Sequence, residues 1–147
     1  PSRRTRARPR RPGPELVWPF GARRPEPLGR RGERLARRYL RRRGLKVLAR
    51  NYRGAGAEID LICLDRGTAR ELGAETVAFV EVKTRRSDRY VSPAAAVDAA
   101  KQKHIRRAAA HYLARHDAAG LLVRYDVVSI VLPDGRPPQI EHIPGAF

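Results

Sequence analysis

The apolar run Thr76-Val77-Ala78-Phe79-Val80 continues directly into the charged triplet Glu81-Val82-Lys83, and no other feature constrains the fold of this chain as much. Its β-branched and aromatic residues predict a buried strand over residues 76–84. Because side chains alternate along a strand, one face carries Val77, Phe79, Glu81 and Lys83, and the other carries Val80 and Val82. Charges in a buried strand are costly unless they pair or bind an ion. The strand therefore predicts a site as well as a core element.

The spacing of the other apolar residues predicts an α/β fold in the order α-β-β-β-α-β. The first helix begins near Leu28, ends at Gly44 and carries an apolar stripe of Leu35, Ala36, Tyr39 and Leu40. Strands follow at 45–53, 57–64 and 76–84, with a turn at 51–56 and a polar loop at 65–75. A second helix runs from a Ser92-Pro93 cap to about His116, with a buried stripe of Val97, Ile105, Ala108, Tyr112 and Leu113. A strand at 121–132 and a short edge strand at Gln139–Ile143 complete a mixed β-sheet flanked by helices.

Residues 1–27 are predicted to form a disordered basic arm ahead of a single domain at 28–147. The arm holds seven prolines and eight arginines, a composition that prevents a packed core. Trp18 and Phe20 within it are expected to dock onto the domain, and stacking on a base is the alternative. The chain carries a net charge of +17, which favours nucleic acid as the partner. Genome composition is the other explanation for an excess of arginine.

No apolar run approaches the ~20 residues that span a bilayer, and the basic N-terminal part has no apolar core of a secretory signal. These features predict a cytoplasmic protein without a membrane partner. The lone Cys63 lies in an apolar strand and is expected to be a small core residue.

Four polar residues at predicted core positions suggest phosphodiester chemistry. Asp60, on a strand whose other face holds Ile59, Leu61 and Cys63, and Glu81 would supply hard oxygen ligands for Mg²⁺ or Mn²⁺. Lys83 would orient or deprotonate a water, and Glu33 would bind a water of the metal from the first helix. The alternatives are structural: Glu81 and Lys83 pair with each other, Glu33 favours the helix dipole, and Asp60 caps a turn near Arg53.

Several cations and one acid around this set have two interpretations each. Arg85, Arg86 and Arg89 would contact phosphates beside the site or form a solvated loop. Lys101 would reach the site or a phosphate, or extend into solvent. Arg53 and Tyr52 would position substrate, although Tyr52 fits the core equally well. Asp126 is expected to be a structural partner of an arginine or of a helix terminus rather than a ligand, and the four histidines lack zinc-type spacing.

The order of these motifs resembles the YraN family of small bacterial proteins over residues 28–131. The matching segments are Gly32-Glu33, Tyr39-Leu40, Asn51-Tyr52-Arg53, Glu58-Ile59-Asp60-Leu61-Ile62, 79–85, Lys101 and Arg124-Tyr125-Asp126-Val127-Val128. That family is similar to Holliday-junction resolvases and to the restriction-endonuclease-like superfamily with its Asp…Glu-x-Lys signature. The resemblance implies a restriction-endonuclease-like fold, Mg²⁺-dependent nuclease activity with Glu33, Asp60, Glu81 and Lys83 at the matching positions, and a homodimer as one state of assembly. Ala57 stands where the family pattern has a glycine.

The leading expectation is therefore a metal-dependent endonuclease acting on DNA. The main alternative is a non-catalytic nucleic-acid-binding module of the same fold, for which the basic arm alone would give salt-sensitive binding. A third is an assembly partner tethered to DNA or RNA by the arm.

Overall fold

A computed structural model describes residues 26–86 and 97–147. The helices are α1 (Leu28–Arg42), α2 (Thr68–Leu72) and α3 (Ala99–Leu113), and the strands are β1 (Lys46–Gly54), β2 (Ala57–Asp65), β3 (Thr76–Arg85), β4 (Leu122–Val131) and β5 (Gln139–Ile143). The predicted α/β class and the predicted edge strand are confirmed. The arm at residues 1–25, with Trp18 and Phe20, lies outside the described residues.

The strands form one mixed sheet in the order β1-β2-β3-β4-β5. The first three are antiparallel neighbours, β4 is parallel to β3, and β5 is antiparallel to β4. A parallel pair needs a crossover connection, and α3 lies in the one between β3 and β4. None of the helices in the two described ranges is long and apolar enough to cross a membrane.

Each face of the sheet is covered by one long helix. Ala36 and Leu40 of α1 pack with a cluster that includes Leu61, Cys63 and Val80. On the opposite face, α3 contributes Ile105, Ala108, Ala109 and Tyr112 to a cluster with Ile62, Val77 and Phe79. Both predicted helical stripes and the core position of Cys63 are confirmed. Alternation along β3 also holds, because Val77 and Phe79 face α3 whereas Val80 faces α1.

Two element boundaries differ from the prediction. The N-cap of α3 is Asp98, whose Oδ1 accepts a hydrogen bond from the Lys101 N–H at 2.8 Å, and α3 ends at Leu113 rather than near His116. An aspartate that accepts a bond from the third helical residue is a strong start signal. Ser92 and Pro93 lie outside the described residues. The loop at 65–75 contains the short helix α2, whose Thr68 hydroxyl bonds to the carbonyls of Asp65 and Ala74 and so closes the loop.

The turn between β1 and β2 is shorter than the six residues predicted. β1 continues to Gly54, which pairs with Ala57, so that only Ala55 and Gly56 form the turn. Their φ angles are 52° and 71°, the combination that suits a two-residue hairpin. Ala57 itself is a strand residue without positive φ, so its methyl group imposes no left-handed strain.

Candidate active site

The candidate site lies where β2 and β3 separate. Their ladder runs from Asp65↔Thr76 to Leu61↔Val80 and stops there. The next free donor on β3, the Val82 N–H, bonds instead to Asp60 Oδ2 at 2.7 Å. The Asp60 side chain thus replaces a backbone acceptor at the end of the ladder, which satisfies a donor that would otherwise lose its partner.

The backbone of the β1–β2 pair is irregular beside Asp60. Asn51 lies between the pairs Arg50↔Leu61 and Tyr52↔Ile59, opposite Asp60, and its φ is 47°. Ile59 packs in the cluster on the α3 face, whereas Leu61 packs in the cluster on the α1 face. The prediction that Ile59 and Leu61 share a face is wrong, because the strand pair departs from regular alternation at this point.

Glu81 is 4 % exposed and forms ion pairs with two lysines, of which Lys83 also donates a hydrogen bond to it. Its Oε1 lies 2.9 Å from Lys83 Nζ and 3.1 Å from Lys101 Nζ. Its Oε2 is buried and has no hydrogen-bond partner among residues 26–86 and 97–147. A buried carboxylate oxygen without a partner is costly, so this atom is a natural ligand for a cation or a water.

Glu33 reaches the site from α1 because that helix approaches β3 closely. A side chain on Gly32 would overlap Thr84, so glycine is required at this crossing. Asn51 Nδ2 donates to Glu33 Oε2 at 3.0 Å and thereby connects β1 to α1. The Glu33 side chain is consequently oriented by a residue that also lies opposite Asp60.

Burial, above all, raises the pKa of Asp60 to about 6 from its ordinary 3.8. The negative charges of Glu81 and Glu33 act in the same direction, whereas the Val82 N–H and Lys101 oppose them. The effect of both glutamates on this pKa places Glu33 and Glu81 within electrostatic reach of Asp60. Such a group of acids favours the binding of a cation.

The carboxylates nevertheless do not form a complete metal cage. Across 26–86 and 97–147, no three histidine, cysteine or acidic side chains converge closely enough to hold an ion by themselves. The donor set still suits Mg²⁺ or Mn²⁺ through two carboxylates, because Asp60 and Glu81 offer hard oxygens and no described residue bonds to Glu81 Oε2. Metal ligation by these two residues stays a prediction.

The predicted nucleic-acid contacts are dispersed around this point. Arg53 pairs with Glu58 at 3.0 Å, and its side chain is 80 % exposed. Arg85 Nη2 lies 3.5 Å from Ser129 Oγ, and Arg86 is exposed at the end of β3. Lys101 bonds to Glu81 rather than extending into solvent, and Arg89 lies outside the described residues.

Two polar residues have the structural roles expected of them. Asp126 is fully buried, and Arg124 Nε and His142 Nε2 lie 2.8 Å and 2.9 Å from its two oxygens. Tyr52 is a core residue, because its ring packs edge-on against Tyr112 with centroids 5.1 Å apart. Neither residue faces the carboxylates of the site.

A model of the family described as "Uncharacterised protein family UPF0102" matches residues 32–130. The chain belongs to this family. Its UPF0102 relatives include proteins of Geobacter metallireducens, 45 % identical over 82 % of this chain and 91 % of the relative, and of Solibacter usitatus, 48 % identical over 84 % and 87 %. A UPF0102 protein of Nocardia farcinica is 43 % identical over 82 % of this chain and 88 % of its own length. The resemblance to the YraN family over residues 28–131 is thereby confirmed.

One contact of the UPF0102 site was not predicted from the sequence, and another was one of the alternatives given for Lys101. Asn51 stands in a matching motif, but the sequence assigned it to a turn rather than to a bond with Glu33. The bond between Lys101 and Glu81 has one sequence signal, since Lys101 lies four residues from Val97 and four from Ile105 on the buried side of α3.

Proposed function

We propose that this UPF0102 chain is a metal-dependent endonuclease acting on DNA, resolvase-like in its chemistry, in which Asp60 and Glu81 hold Mg²⁺ or Mn²⁺. The observation that carries the proposal is the proximity of Asp60 and Glu81 where β2 and β3 separate, with Glu81 Oε2 buried and without a hydrogen-bond partner in the described part of the chain. Mg²⁺ takes one or two carboxylates and completes its shell with water and phosphate oxygens. Two carboxylates are therefore sufficient.

The reaction is phosphodiester hydrolysis: a water oxygen bonds to phosphorus, one bridging P–O bond breaks, and the leaving oxygen takes up a proton. A bound divalent ion would polarise the phosphate and lower the pKa of a coordinated water. Lys83, held 2.9 Å from Glu81, offsets negative charge that develops on the phosphate oxygens. Glu33, oriented by Asn51, orients a water through its carboxylate.

Basic residues near the end of β3 support a polyanionic substrate. Arg85 and Arg86 follow Lys83 directly along the chain, and they are assigned here to phosphate contact together with Arg89. Lys101 neutralises Glu81 and lies within reach of an incoming phosphate, and Arg53 adds a cation at the end of β1.

Cleavage of branched, flapped and linear DNA in Mg²⁺ or Mn²⁺ tests the proposal. Loss of a metal carboxylate removes several kcal/mol of transition-state stabilisation, so Glu81→Gln is expected to cleave at least about 100-fold more slowly. Glu71→Gln on the exposed side of α2 is the matched control and should cleave like the wild type. Equal behaviour of the wild type and Glu81→Gln on every substrate would rule out catalysis at this site.

One observation favours a second candidate, a non-catalytic nucleic-acid-binding module. Lys83 and Lys101 both bond to Glu81 Oε1, so the carboxylate is already neutralised without a metal. Metal titration separates the two functions. A nuclease requires Mn²⁺ binding that is lost in Asp60→Asn, whereas a binding module requires DNA affinity that is indifferent to Mn²⁺ and to that change.

Two further properties complete the proposal. A homodimer fits a substrate with two-fold symmetry such as a junction, and sedimentation with and without DNA tests it. A cytoplasmic location fits an enzyme that acts on DNA, and fractionation of the cells tests that.

A further inference from the structure

A basic groove runs between α1 and β1, which is an edge strand of the sheet formed by the described residues. We call it the α1–β1 groove. Its volume is about 590 Å³, and it is lined by Arg37, Arg41, Val47, Leu48, Ala49 and Arg50. Three of these six residues are arginines, and both walls contribute cations. The sequence did not assign any of these arginines to a binding site.

The arginines of α1 form two rows along the helix. Arg37 and Arg41 line the groove, and Arg34, Arg38 and Arg42 continue the basic surface at i and i+4 spacing around the helix. Within 26–86 and 97–147, Arg37, Arg41 and Arg50 have no carboxylate within ion-pair distance. Like charges at this spacing repel each other, so the surface favours an anionic ligand.

One end of the groove lies beside Glu33 and Asn51 of the candidate site. Glu33 precedes Arg37 by one helical turn on one wall, and Asn51 follows Arg50 directly on the other. The hydrogen bond between Asn51 Nδ2 and Glu33 Oε2 joins the two walls at this end. A linear polyanion lying in the groove would therefore reach the carboxylates of the site.

Geometry and chemistry favour a phosphate backbone as the occupant. Arg37 and Arg41 are about 6 Å apart along the helix axis, close to the rise of about two nucleotides of one DNA strand. The planar guanidinium group bonds phosphate oxygens in pairs, and free N–H groups of an edge strand are additional donors. An acidic polypeptide paired with the edge of β1 would also match the charge. It would bring nothing for the site to act on at Glu33 and Asn51, whereas a nucleic-acid strand would bring a phosphodiester.

We infer that the α1–β1 groove binds the phosphate backbone of a nucleic-acid strand and leads that strand to the site at Glu33, Asp60 and Glu81. The claim that the strand leads to the site rests on the proposed function. The claim that the groove binds the strand rests on the groove alone. It adds Arg37, Arg41 and Arg50 to the contacts predicted from the sequence.

Fluorescence anisotropy with short labelled single-stranded and duplex DNA tests the groove in EDTA, where cleavage does not interfere. The full chain is compared with the triple variant Arg37→Gln/Arg41→Gln/Arg50→Gln at a series of salt concentrations. The variant is expected to bind at least about tenfold more weakly, with a salt slope smaller by about three. The control Arg70→Gln/Arg115→Gln/Arg136→Gln removes the same charge from exposed positions elsewhere and should change both quantities much less.

Equal losses in the two triple variants would show that only net charge matters and would overturn the inference. So would polyglutamate that displaces wild-type protein from DNA as effectively as unlabelled DNA of equal charge. If the glutamine variant does not fold by circular dichroism, Arg37→Lys/Arg41→Lys/Arg50→Lys retains the charge. It should keep the wild-type salt slope but bind more weakly, and an unchanged affinity would count against the paired arginine contacts.

The outcomes also separate the groove from the proposed function. Weak binding by the groove variant together with no cleavage by the wild type retains the groove and removes the nuclease. Cleavage by the wild type together with unchanged binding by the groove variant retains the nuclease and removes the groove.

Discussion

Lys101 Nζ lies 3.1 Å from Glu81 Oε1, so the first turn of α3 is bonded to the acid at the end of the buried part of β3. Removal of this lysine leaves the buried carboxylate with Lys83 as its remaining cation. We expect Lys101→Met to lower the free energy of unfolding by about 1–3 kcal/mol in EDTA, because a buried carboxylate loses one of its charged partners.

Urea unfolding in EDTA and in Mn²⁺ measures this effect. Mn²⁺ should restore more stability to Lys101→Met than it adds to the wild type, since it replaces a missing positive charge. Lys103→Met, on the exposed side of the same helix, is the control and should lie close to the wild type in both conditions. A loss that is as large in Lys103→Met would assign the effect to the helix and not to Glu81.

The raised pKa of Asp60 predicts that the stability of the folded protein depends on pH. The folded protein binds a proton at Asp60 with a pKa of about 6, against an ordinary 3.8, chiefly because the group is buried. Between these values the folded state holds more protons than the unfolded state, so stability falls as the pH rises from about 4 to about 6 and the loss is complete above that. Two pKa units correspond to about 3 kcal/mol at most.

Asp60→Asn lacks this titration and isolates it. In EDTA, the wild type should lose stability relative to Asp60→Asn as the pH rises from about 4 to about 6. Mn²⁺ above pH 6 should reduce this loss by stabilising the wild type. A difference that stays constant from pH 4 to pH 7 would contradict the raised pKa.

Asp126 predicts the opposite pH dependence. Burial alone would raise its pKa, but hydrogen bonds from His142, Arg124 and the Gly145 N–H outweigh burial and lower it. An acid with a lowered pKa adds stability that is present above its ordinary 3.8 and is lost as the pH falls through that value toward the folded pKa. Asp126→Asn should therefore cost about 3–5 kcal/mol at pH 7, because Arg124 keeps a partly buried charge without its main partner.

The deficit of Asp126→Asn should shrink as the pH falls below about 4, because the unfolded wild type is protonated there first and the folded carboxylate follows at lower pH. Thermal unfolding from pH 2 to pH 7 measures it. Asp134→Asn, an exposed acid after β4, is the control and should show no comparable deficit at any pH. A deficit that persists unchanged at low pH would mean that the packing of the side chain, and not its charge, stabilises the fold.

Asn51 combines a left-handed φ of 47° with a bond to Glu33, and two substitutions separate these properties. Asn51→Gly accepts the backbone angle but removes the amide, so its fold should be retained while DNA cleavage falls about tenfold or more. Asn51→Ala removes the amide and adds strain of about 1–2 kcal/mol.

Cleavage rates and urea unfolding of both variants check this prediction. Similar cleavage losses with unequal stability losses are expected. If the variant that loses more stability also loses more cleavage activity, the bond to Glu33 has no role of its own in the site.

Periodicity determined much of the fold because it depends on the chain alone. Alternation along residues 76–84 placed Glu81 on the Phe79 side of a buried strand, and helical spacing identified Ala36, Leu40 and Ile105 as core positions. The alternation also indicated that the charge of Glu81 needed a partner, and Lys83 supplies one.

The arrangement of the site where β2 and β3 separate was decided by tertiary structure and not by the periodicity of the sequence. The ladder between β2 and β3 ends at Leu61↔Val80, which allows Asp60 to bond the Val82 N–H and approach Glu81. Ile59 and Leu61 also pack in clusters on opposite faces, although they are two residues apart on one strand. Neither feature can be read from the alternation of a single strand.

The sequence by itself determined that charges lie within a buried strand, because composition and alternation are local properties. Only the packing of α1 and α3 on opposite faces decided which distant residues meet those charges. Gly32 allows α1 to approach Thr84, and Asp98 starts α3 where Lys101 reaches Glu81. The physical reason is that such contacts join residues far apart in the chain, so their geometry exists only after both helices have packed against the sheet.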